Sequence, residues 1–405
     1  MTHTPKATGA ILDFAAAPHV LPPAVRADAL RLLGDTLAVM AAGAASDEAA
    51  QVRAACNDPA FHAAFAIHCL EWDAVHEGAV VHALSVATAA LLASSHRAGG
   101  CDPEEFLTAL AVGVDIASGL GIAATGPMRF FRPATAGVIG AALAVARLEG
   151  LTRDQMADVL GLAYSFAGGT MQAHAEASIA LPLQIGRAAQ AAIQAADMGK
   201  AGLTGPHNAI EGPFGYSALI EPLDLSRYTP GAPWRISEVS IKPFPCGRAS
   251  HGALGALQDL ALPLDDVDSI ELFAPPLIQR LVGRPYRPDA PMSYNRLCLA
   301  FLAPLMLRDG RINPRQNESI PELAERVTVS LDGNPDANAL SPQRLVVKLK
   351  NGNVIERQID ANLGSPDAPM APEQYAAKYA LCRELAPHAD PRLFDDPLAY
   401  ATDPK

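Results

Sequence analysis

The sequence predicts a mainly α-helical protein with a smaller region of mixed helices and strands. Half of the 405 residues are hydrophobic but only 5% are aromatic, so the interior must be built from Ala, Leu, Val and Ile, which suits helices that approach closely. Apolar residues recur at helical spacing through the first half of the chain. Strand-like alternation of β-branched residues begins near Ala232. The length predicts about two or three domains.

The predicted helices of the first half are bounded by Pro, Gly or residues that can cap a helix. Before Pro103, Asp102 is a candidate N-cap, and Glu104 and Glu105 favour the positive end of the helix dipole. Similar punctuation predicts six helices in this half, at residues 23–43, 84–96, 103–122, 136–148, 154–167 and 183–198.

The second half changes in character because β-branched residues alternate between clusters of Pro and Gly. Asn351-Gly352, between two such runs, predicts a hairpin turn. Together the runs predict a mixed α+β domain over about residues 236–359, with helices at 251–262 and 295–308 and a helical tail after it. The four predicted strand segments are WRISEVSIKPF, VDSIELFAP, ERVTVSLDG and LVVKLKNGNVIERQI.

Charge and composition argue against several classes of function. A net charge of -12 and a pI near 5.4 repel nucleic-acid phosphates and anionic membrane surfaces, so an anionic substrate would need a local positive pocket. The six cysteines form no CxxC pair and are too sparse for a disulfide framework. The N-terminal segment lacks the features of a signal peptide, and no run reaches the ~18 apolar residues of a membrane span. We therefore expect a cytoplasmic protein.

The segment IHCLEWDAVHEGAVVHALS is the first cluster of reactive side chains. Its spacing matches no zinc motif, and Gly78 indicates a loop, so we expect no metal there. General acid–base chemistry is the favoured interpretation, because a carboxylate can fix the tautomer of a histidine and raise its basicity. For His68, His76 and Glu77 the structural interpretation is favoured, as hydrogen-bonded histidines and a solvated carboxylate. The cluster contains His68, Glu71, Asp73, His76, Glu77 and His82.

The segment IKPFPCGRASHGALGAL predicts a strand that ends in a loop and leads into a helix near His251. Lys242 and Arg248 could pair with substrate carboxylates, and the helix N-terminus adds partial positive charge. The alternative is that Lys242 is a solvated strand-end charge and His251 an ordinary helix-start residue. Cys246 is expected to be a packed thiol.

The segment GPMRFFRPATAGVIGAALAVARLEGL places Arg129 and Arg132 ahead of a helix rich in small residues. The arginines could meet an acid group. Equally, they could lie on the faces of Phe130 and Phe131 through cation–π contacts. The glycines match no phosphate-binding motif.

Taken in order, these segments resemble the MmgE/PrpD family, which includes 2-methylcitrate dehydratases, cis-aconitate decarboxylases and iminodisuccinate epimerases. HCLEWDAVHEGAVVHALS resembles the pattern H-x-L-D-F-D-D-x-H-x-x-x-x-x-H-P, and IKPFPCGRASH resembles K-P-Y-P-C-x-R-x-x-H. RPATAGVIGAALAVARLEGL and GLTGPHNAIEGPFGY complete the match.

The resemblance implies a fold and a chemistry. It implies a homodimer. Each subunit is expected to have a large all-helical domain, formed by residues 1–235 and 368–405, and a smaller α+β lid over 236–367. The site lies between them. The resemblance also implies metal-independent, cofactor-free chemistry on di- or tricarboxylates. The positions it places against the substrate are Asp73, His82, Lys242 and His251.

This sequence departs from the family pattern at several places. Ala74 replaces the second Asp of the D-D pair, Phe131 and Arg132 stand where many relatives have a His, and Leu181 lies near an expected Lys. Loss of two polar contacts would be costly for a tricarboxylate. We therefore hypothesise a less charged, more hydrophobic carboxylate, which Arg132 could still clamp.

The favoured mechanism is a dehydratase-type elimination. His82, oriented by Asp73, exchanges a proton beside a carboxylate, Lys242 and Arg248 stabilise the enolate-like charge, and His251 protonates the leaving hydroxyl. An epimerase, a decarboxylase and a catalytically inactive carboxylate-binding protein remain alternatives. The predicted substrate-binding residues are Glu71, His76, Arg132 and Arg248.

Overall fold

A computed structural model describes residues 6–336 and 338–404 of the chain. The prediction of a mainly helical protein is confirmed, because this described part contains nineteen α-helices and one four-stranded sheet. The extreme ends of the predicted helical domain, residues 1–5 and 405, lie outside the described residues.

Helices from both ends of the chain share one hydrophobic core. The C-terminal helices α17, α18 and α19 return to pack against α2. The helices of this part are α1 Lys6–Ala16, α2 Pro23–Ala44, α3 Asp47–Ala55, α4 Pro59–His68, α5 Ala83–Arg97, α6 Pro103–Ala123, α7 Arg132–Leu148, α8 Arg153–Ser165, α9 Gln172–Ala175, α10 Ala180–Lys200, α11 Tyr216–Leu219, α17 Pro372–Leu385, α18 Arg392–Asp395 and α19 Pro397–Thr402.

Small residues let the central helices of this core approach closely. A Cβ atom on Gly140 of α7 would overlap the backbone oxygen of Gly113 on α6, so the absence of side chains sets this helix spacing. The predicted cap of α6 is confirmed, since the Asp102 side chain accepts a hydrogen bond of 2.8 Å from the Glu105 amide.

A second hydrophobic core lies mostly within residues 244–359. The strand order is β2-β1-β3-β4, with β1 parallel to β2 and antiparallel to β3. The predicted turn at Asn351-Gly352 is confirmed, because it joins the antiparallel pair β3–β4 and Gly352 has φ of +90°. The elements are α12 His251–Leu260, β1 Val267–Ala274, α13 Pro276–Val282, α14 Met292–Asn295, α15 Leu299–Asp309, α16 Pro321–Ala324, β2 Val327–Leu331, β3 Gln343–Leu349 and β4 Val354–Ile359.

The prediction of a strand in WRISEVSIKPF is wrong. The segment forms a 3₁₀ turn at Arg235–Glu238, and then a single antiparallel bridge between Ser240 and Val75. Its alternation has another cause, because Ile236, Val239 and Ile241 are buried in the helical core rather than in a sheet. The segment thereby lies beside the α4–α5 loop.

Among the described residues one helix, α6, is long and apolar enough to span a membrane, with a mean hydropathy of 1.8. Helices α2 and α3, bent by 82°, meet the same criteria only as a pair. Polar residues interrupt both segments, so neither is an uninterrupted apolar run of the ~18 residues that a span needs. The apolar window of α6 is 94% buried inside the protein, as expected for a core helix.

Candidate active site

The loop between α4 and α5 holds two of the four predicted catalytic side chains, those of Asp73 and His82, in a tight backbone path. His76 and Val81 form an antiparallel bridge within it. Glu71 and Val80 have positive φ values of 55° and 54°. The left-handed region is uncommon for non-glycine residues and unusual for a β-branched one. Strained residues of this kind cluster at functional sites.

The buried Asp73 carboxylate lies between two histidines. Its Oδ2 atom is 2.9 Å from Nδ1 of His68 and 3.0 Å from Nδ1 of His82. The Ser85 hydroxyl donates a hydrogen bond to the same oxygen. A carboxylate contact at Nδ1 fixes the orientation of an imidazole and leaves Nε2 for other partners. The Nε2 atom of His68 is buried without a hydrogen-bond partner among the described residues, and the Glu71 carboxylate lies 3.5 Å from it.

The two imidazoles have opposite protonation preferences. Burial disfavours the charged form of His68, but the carboxylates of Asp73 and Glu71 outweigh burial and raise the pKa of this ring. Burial is also the largest influence on His82, and with the charge of Lys242 it outweighs Asp73 and lowers the pKa of that ring. Two titratable groups with pKa values pushed apart are suited to act as acid and base.

Lys242 joins this network from the segment that follows the Ser240 bridge. Its fully buried ammonium donates a hydrogen bond of 2.7 Å to the Glu71 backbone oxygen. The same Nζ lies 3.5 Å from the Glu71 carboxylate and 4.0 Å from Asp73. Burial raises the pKa of Glu71, but His68 and Lys242 outweigh it and lower that pKa. The structure thus brings the two distant predicted segments together around Asp73.

A cavity of about 70 Å³ lies beside the network and is lined by residues of both hydrophobic cores. Its walls are largely apolar with a few polar groups, which is typical of a small-molecule site. The polar lining residues are His68, Glu71, His82, His174 and Arg248. The apolar lining includes Val75, Val80, Met128, Phe131, Pro133, Met171, Leu181, Leu281, Val282, Leu297 and Leu340.

The residues that line this cavity lie in regions that match known domains. Residues 57–225 match the MmgE/PrpD N-terminal domain, and residues 244–392 match the MmgE/PrpD C-terminal domain. The chain belongs to the MmgE/PrpD family. The cis-aconitate decarboxylase of Homo sapiens is 29% identical over 363 residues, which is 79% of this chain and 72% of that protein. The cis-aconitate decarboxylase of Mus musculus is 27% identical over 369 residues, or 80% and 73%.

Two positions where this MmgE/PrpD chain departs from the family pattern lie on the cavity wall. Phe131 and Leu181 both line the cavity, and the Phe131 ring is centred 5.7 Å from the His68 ring. This placement agrees with the hypothesis of a more hydrophobic substrate.

Arg132 and His76 are absent from the cavity lining. The Arg132 guanidinium is buried, with Nε donating to Glu221 at 2.8 Å and Nη1 to the Ala79 backbone oxygen at 3.1 Å. Nε2 of His76 lies 3.0 Å from Glu238, and its Nδ1 accepts from the Ala79 amide at 3.2 Å. Both side chains hold the α4–α5 loop in place. Because neither lines the cavity, this arrangement does not support their predicted contact with substrate.

Arg248 lines the cavity, yet its hydrogen-bonding capacity is already used. Its Nε and Nη2 donate to Glu77, while its other N–H groups reach backbone oxygens of Asn362 and Leu363 and Nδ1 of His251. The interpretation of Glu77 as a solvated surface charge is wrong, because this ion pair leaves its side chain only 20% exposed. Arg248 therefore contributes positive charge to the cavity, but it has no unpaired N–H groups for a bidentate contact with a carboxylate.

His251 is fully buried and does not line the cavity. Its Nε2 lies 3.2 Å from the backbone oxygen of Cys246. Burial, then the nearby charges of Arg248 and Lys242, hold its pKa well below the ordinary value. The ring is therefore uncharged and positions Arg248. Burial raises the pKa of the Cys246 thiol to about 12, as expected for a packed cysteine.

Sequence reasoning missed two histidines of the cavity. A structural role was favoured for His68, although this residue lines the cavity and its Nε2 atom makes no hydrogen bond among the described residues. His174, on α9, was not singled out. The one signal in the sequence was that His174 lies seven residues before Leu181, which stands near the expected Lys of the family pattern.

Proposed function

We propose that this protein is a metal-independent lyase that eliminates water from a small organic acid by moving a proton next to its carboxylate. The observation that carries the proposal is the Asp73 carboxylate shared by His68 and His82, whose pKa values shift in opposite directions beside the cavity. Family membership and the two decarboxylase relatives support a lyase-type enzyme that acts on a carboxylate.

The lowered pKa of His82 and the raised pKa of His68 assign the two proton-transfer roles. His82, uncharged, takes a proton from the carbon beside the carboxylate, and the C–H electron pair forms the new double bond. The C–OH bond breaks, and the hydroxyl takes a proton from the charged His68 and leaves as water. Asp73 stays ionised throughout. It lies beside a charged His68 before the step and beside a charged His82 after it.

The buried cations support this step through charge rather than direct contact. Lys242 keeps Glu71 ionised and disfavours a second proton on the histidine pair. Arg248, with every donor used, offers a fixed positive charge where an enolate-like intermediate develops. His251 positions Arg248, so we assign the proton donor role to His68 instead.

The substrate that suits this cavity has few charges and an apolar body. Glu71 is ionised on the wall and repels a carboxylate, and the lining contains no guanidinium or ammonium with free donors. Burying three carboxylates without paired donors would be very costly. A mono- or dicarboxylate with alkyl groups, packed against Phe131, Met171 and Leu181, avoids that cost.

The proposal of metal independence rests on the surroundings of Asp73. His68, Asp73 and His82 offer ligand atoms within 4.8 Å of one another, as a metal site requires. However, Ser85 and both imidazoles already contact the carboxylate, and the Lys242 ammonium lies 4.0 Å away. A fixed positive charge at that distance opposes a cation.

Decarboxylation is the second candidate, because both relatives are cis-aconitate decarboxylases. In that reaction the bond to a carboxylate breaks, carbon dioxide leaves, and the remaining electron pair takes a proton from His68. Epimerisation would return a proton to the opposite face of the carbon. We further propose that the protein is a cytoplasmic homodimer that binds neither nucleic acid nor membranes, in keeping with its net charge of -12.

Proton NMR in deuterated water tests the proposal. The wild-type protein is incubated with 3-hydroxybutyrate, malate and citrate, which carry one, two and three carboxylates, and with cis-aconitate. We expect deuterium at the carbon beside a carboxylate, together with an alkene product, for an acid with one or two carboxylates. Carbon dioxide release from cis-aconitate would instead establish decarboxylation.

The matched variants are His82→Gln and, outside the cavity, His207→Gln. His207 pairs with Asp158 on the surface and is 37% exposed. We expect exchange to stop in His82→Gln and to continue in His207→Gln. Unchanged exchange in His82→Gln contradicts the proposed base, and substrate binding without any exchange in the wild type identifies a carboxylate-binding protein.

A further inference from the structure

One histidine on the cavity wall has no part in the proton transfer proposed above. His174 lies on the short helix α9, is 7% exposed, and lines the same cavity as His68 and His82. Its imidazole makes no hydrogen bond to any group within residues 6–336 and 338–404. Because buried polar groups normally have partners, this ring is available to a ligand in the cavity.

The charged groups around His174 come from the α4–α5 loop and from the second core. Glu71 lies on the loop, and Arg280 and Arg284 lie on and just after α13. Nη2 of Arg284 donates to the His174 backbone oxygen at 3.2 Å. Burial, then Arg284, lowers the pKa of His174 to about 4 against the opposing effect of Glu71. At neutral pH the ring is uncharged and has one N–H donor and one lone pair.

The two arginines also give this side of the cavity a positive charge without an acidic partner. Neither Arg280 nor Arg284 forms an ion pair with a carboxylate in the described part of the chain. The Nε and Nη1 atoms of Arg284 are buried and have no acceptor. The carboxylates of Glu71 and Asp73 contact His68, and Glu71 also acts on His174. Neither arginine lines the cavity, but their unpaired charge favours a substrate carboxylate beside His174, with the neighbouring carbon toward His82.

We propose that His174 is a further catalytic residue, an uncharged imidazole that donates its N–H to a carboxylate oxygen of the substrate while His82 removes the neighbouring proton. This inference rests on the proton-transfer function proposed above. As the C–H bond breaks, electron density moves onto that oxygen and the hydrogen bond from His174 strengthens. His174 neither gains nor loses a proton in this step. An imidazole kept uncharged by nearby positive groups is suited to polarise an oxygen in this way.

Three variants test the role, each measured on the acid that the wild-type protein turns over. His174→Phe keeps a planar ring without a donor, His174→Gln keeps a donor that does not titrate, and His207→Phe is the control outside the cavity. We expect kcat to fall about 100-fold in His174→Phe, the loss typical of one such donor. KM should change less than kcat, because the hydrogen bond strengthens in the transition state.

The glutamine variant and its pH profile separate this role from a structural one. His174→Gln should recover most of the kcat that His174→Phe loses. It should also keep the wild-type pH profile, since His174 stays uncharged at every pH well above its pKa of about 4. Circular dichroism and the melting temperature establish that each variant is folded. Wild-type kcat in folded His174→Phe would overturn the inference alone, as would a changed pH profile in His174→Gln. A wild-type protein that exchanges no proton with any acid would instead overturn the proposed function.

Discussion

Two clusters in this molecule contain the same kinds of side chain and behave differently. In the first, Asp73 contacts His68 and His82, and both rings reach the cavity. In the second, Glu77 pairs with Arg248, which in turn contacts His251, and every donor of the guanidinium is used within the protein. We call these the Asp73 cluster and the Glu77 cluster.

The difference between the clusters lies in unused hydrogen-bonding capacity. The Asp73 cluster leaves Nε2 of His68 without a hydrogen bond, 3.5 Å from the Glu71 carboxylate, and it pushes the pKa values of His68 and His82 apart. The Glu77 cluster joins the α4–α5 loop to the start of α12 and to residues 362–363 through hydrogen bonds. The first arrangement can exchange protons with a ligand, whereas the second fastens two parts of the fold together.

The largest effect should follow from Asp73→Asn. An amide cannot balance a charged imidazole, and it can force a histidine into the wrong tautomer. We expect kcat to fall about 10⁴-fold, the size seen when a histidine loses its carboxylate partner. Steady-state kinetics check this, with Glu77→Gln as the matched amide replacement in the other cluster. A loss of equal size in folded Glu77→Gln would remove the distinction between the clusters.

The Glu77 cluster should show its role in stability. Arg248→Met removes the cation and leaves a largely buried carboxylate on Glu77 without a charged partner. We expect the free energy of unfolding to fall by about 3 kcal/mol, as for other broken buried ion pairs. Urea denaturation measures the change. An unchanged midpoint would show that this ion pair does not hold the two parts together.

The pH dependence of turnover should separate the two histidines of the Asp73 cluster. The base, His82, must be uncharged, so the rate should rise with pH through a pKa below the ordinary 6.5. The acid, His68, must be charged, so the rate should fall as pH rises through a pKa above 6.5. His68→Gln should lose the fall at high pH and keep the rise at low pH. A rate that only rises with pH in the wild type contradicts the assignment of His68.

The smallest effect should come from the apolar wall. Leu181→Ala removes hydrophobic contact with the body of the substrate and leaves both clusters intact. We expect KM to rise about tenfold, the lower end for changes in a hydrophobic pocket, while kcat changes little. Kinetics on alkyl-substituted and unsubstituted acids check this. An equal KM change for both acids would show that Leu181 does not contact the alkyl group.

Sequence patterns predicted the parts of the fold that depend on local chemistry. The Asp102 cap of α6 and the turn at Asn351-Gly352 follow from the residues themselves. The alternation in residues 234–244 failed as a predictor, because Ile236, Val239 and Ile241 are buried against helices and not in a sheet. A hydrophobic pattern indicates which side chains are buried, but it does not identify whether a helix or a sheet packs against them.

The candidate site was predictable only in part for a similar reason. Reactive residue types and their order indicated that Asp73, His82 and Lys242 belong together, and the structure places them in one network. The use of each donor depends on partners far away in sequence, such as Glu221 for Arg132. A sequence cannot show which guanidinium is already paired. It equally cannot show which ring nitrogen lacks a hydrogen bond, as Nε2 of His68 does.

The order in which His68 and His82 take up protons tests the account most directly. Nitrogen NMR of the wild-type protein labelled at histidine nitrogens, with signals assigned through His68→Gln and His82→Gln, follows each ring as pH is lowered. We predict that His68 gains its proton first, above pH 6.5, and His82 only below it. The reverse order, or simultaneous protonation of both rings near 6.5, would contradict the division of this pair into acid and base.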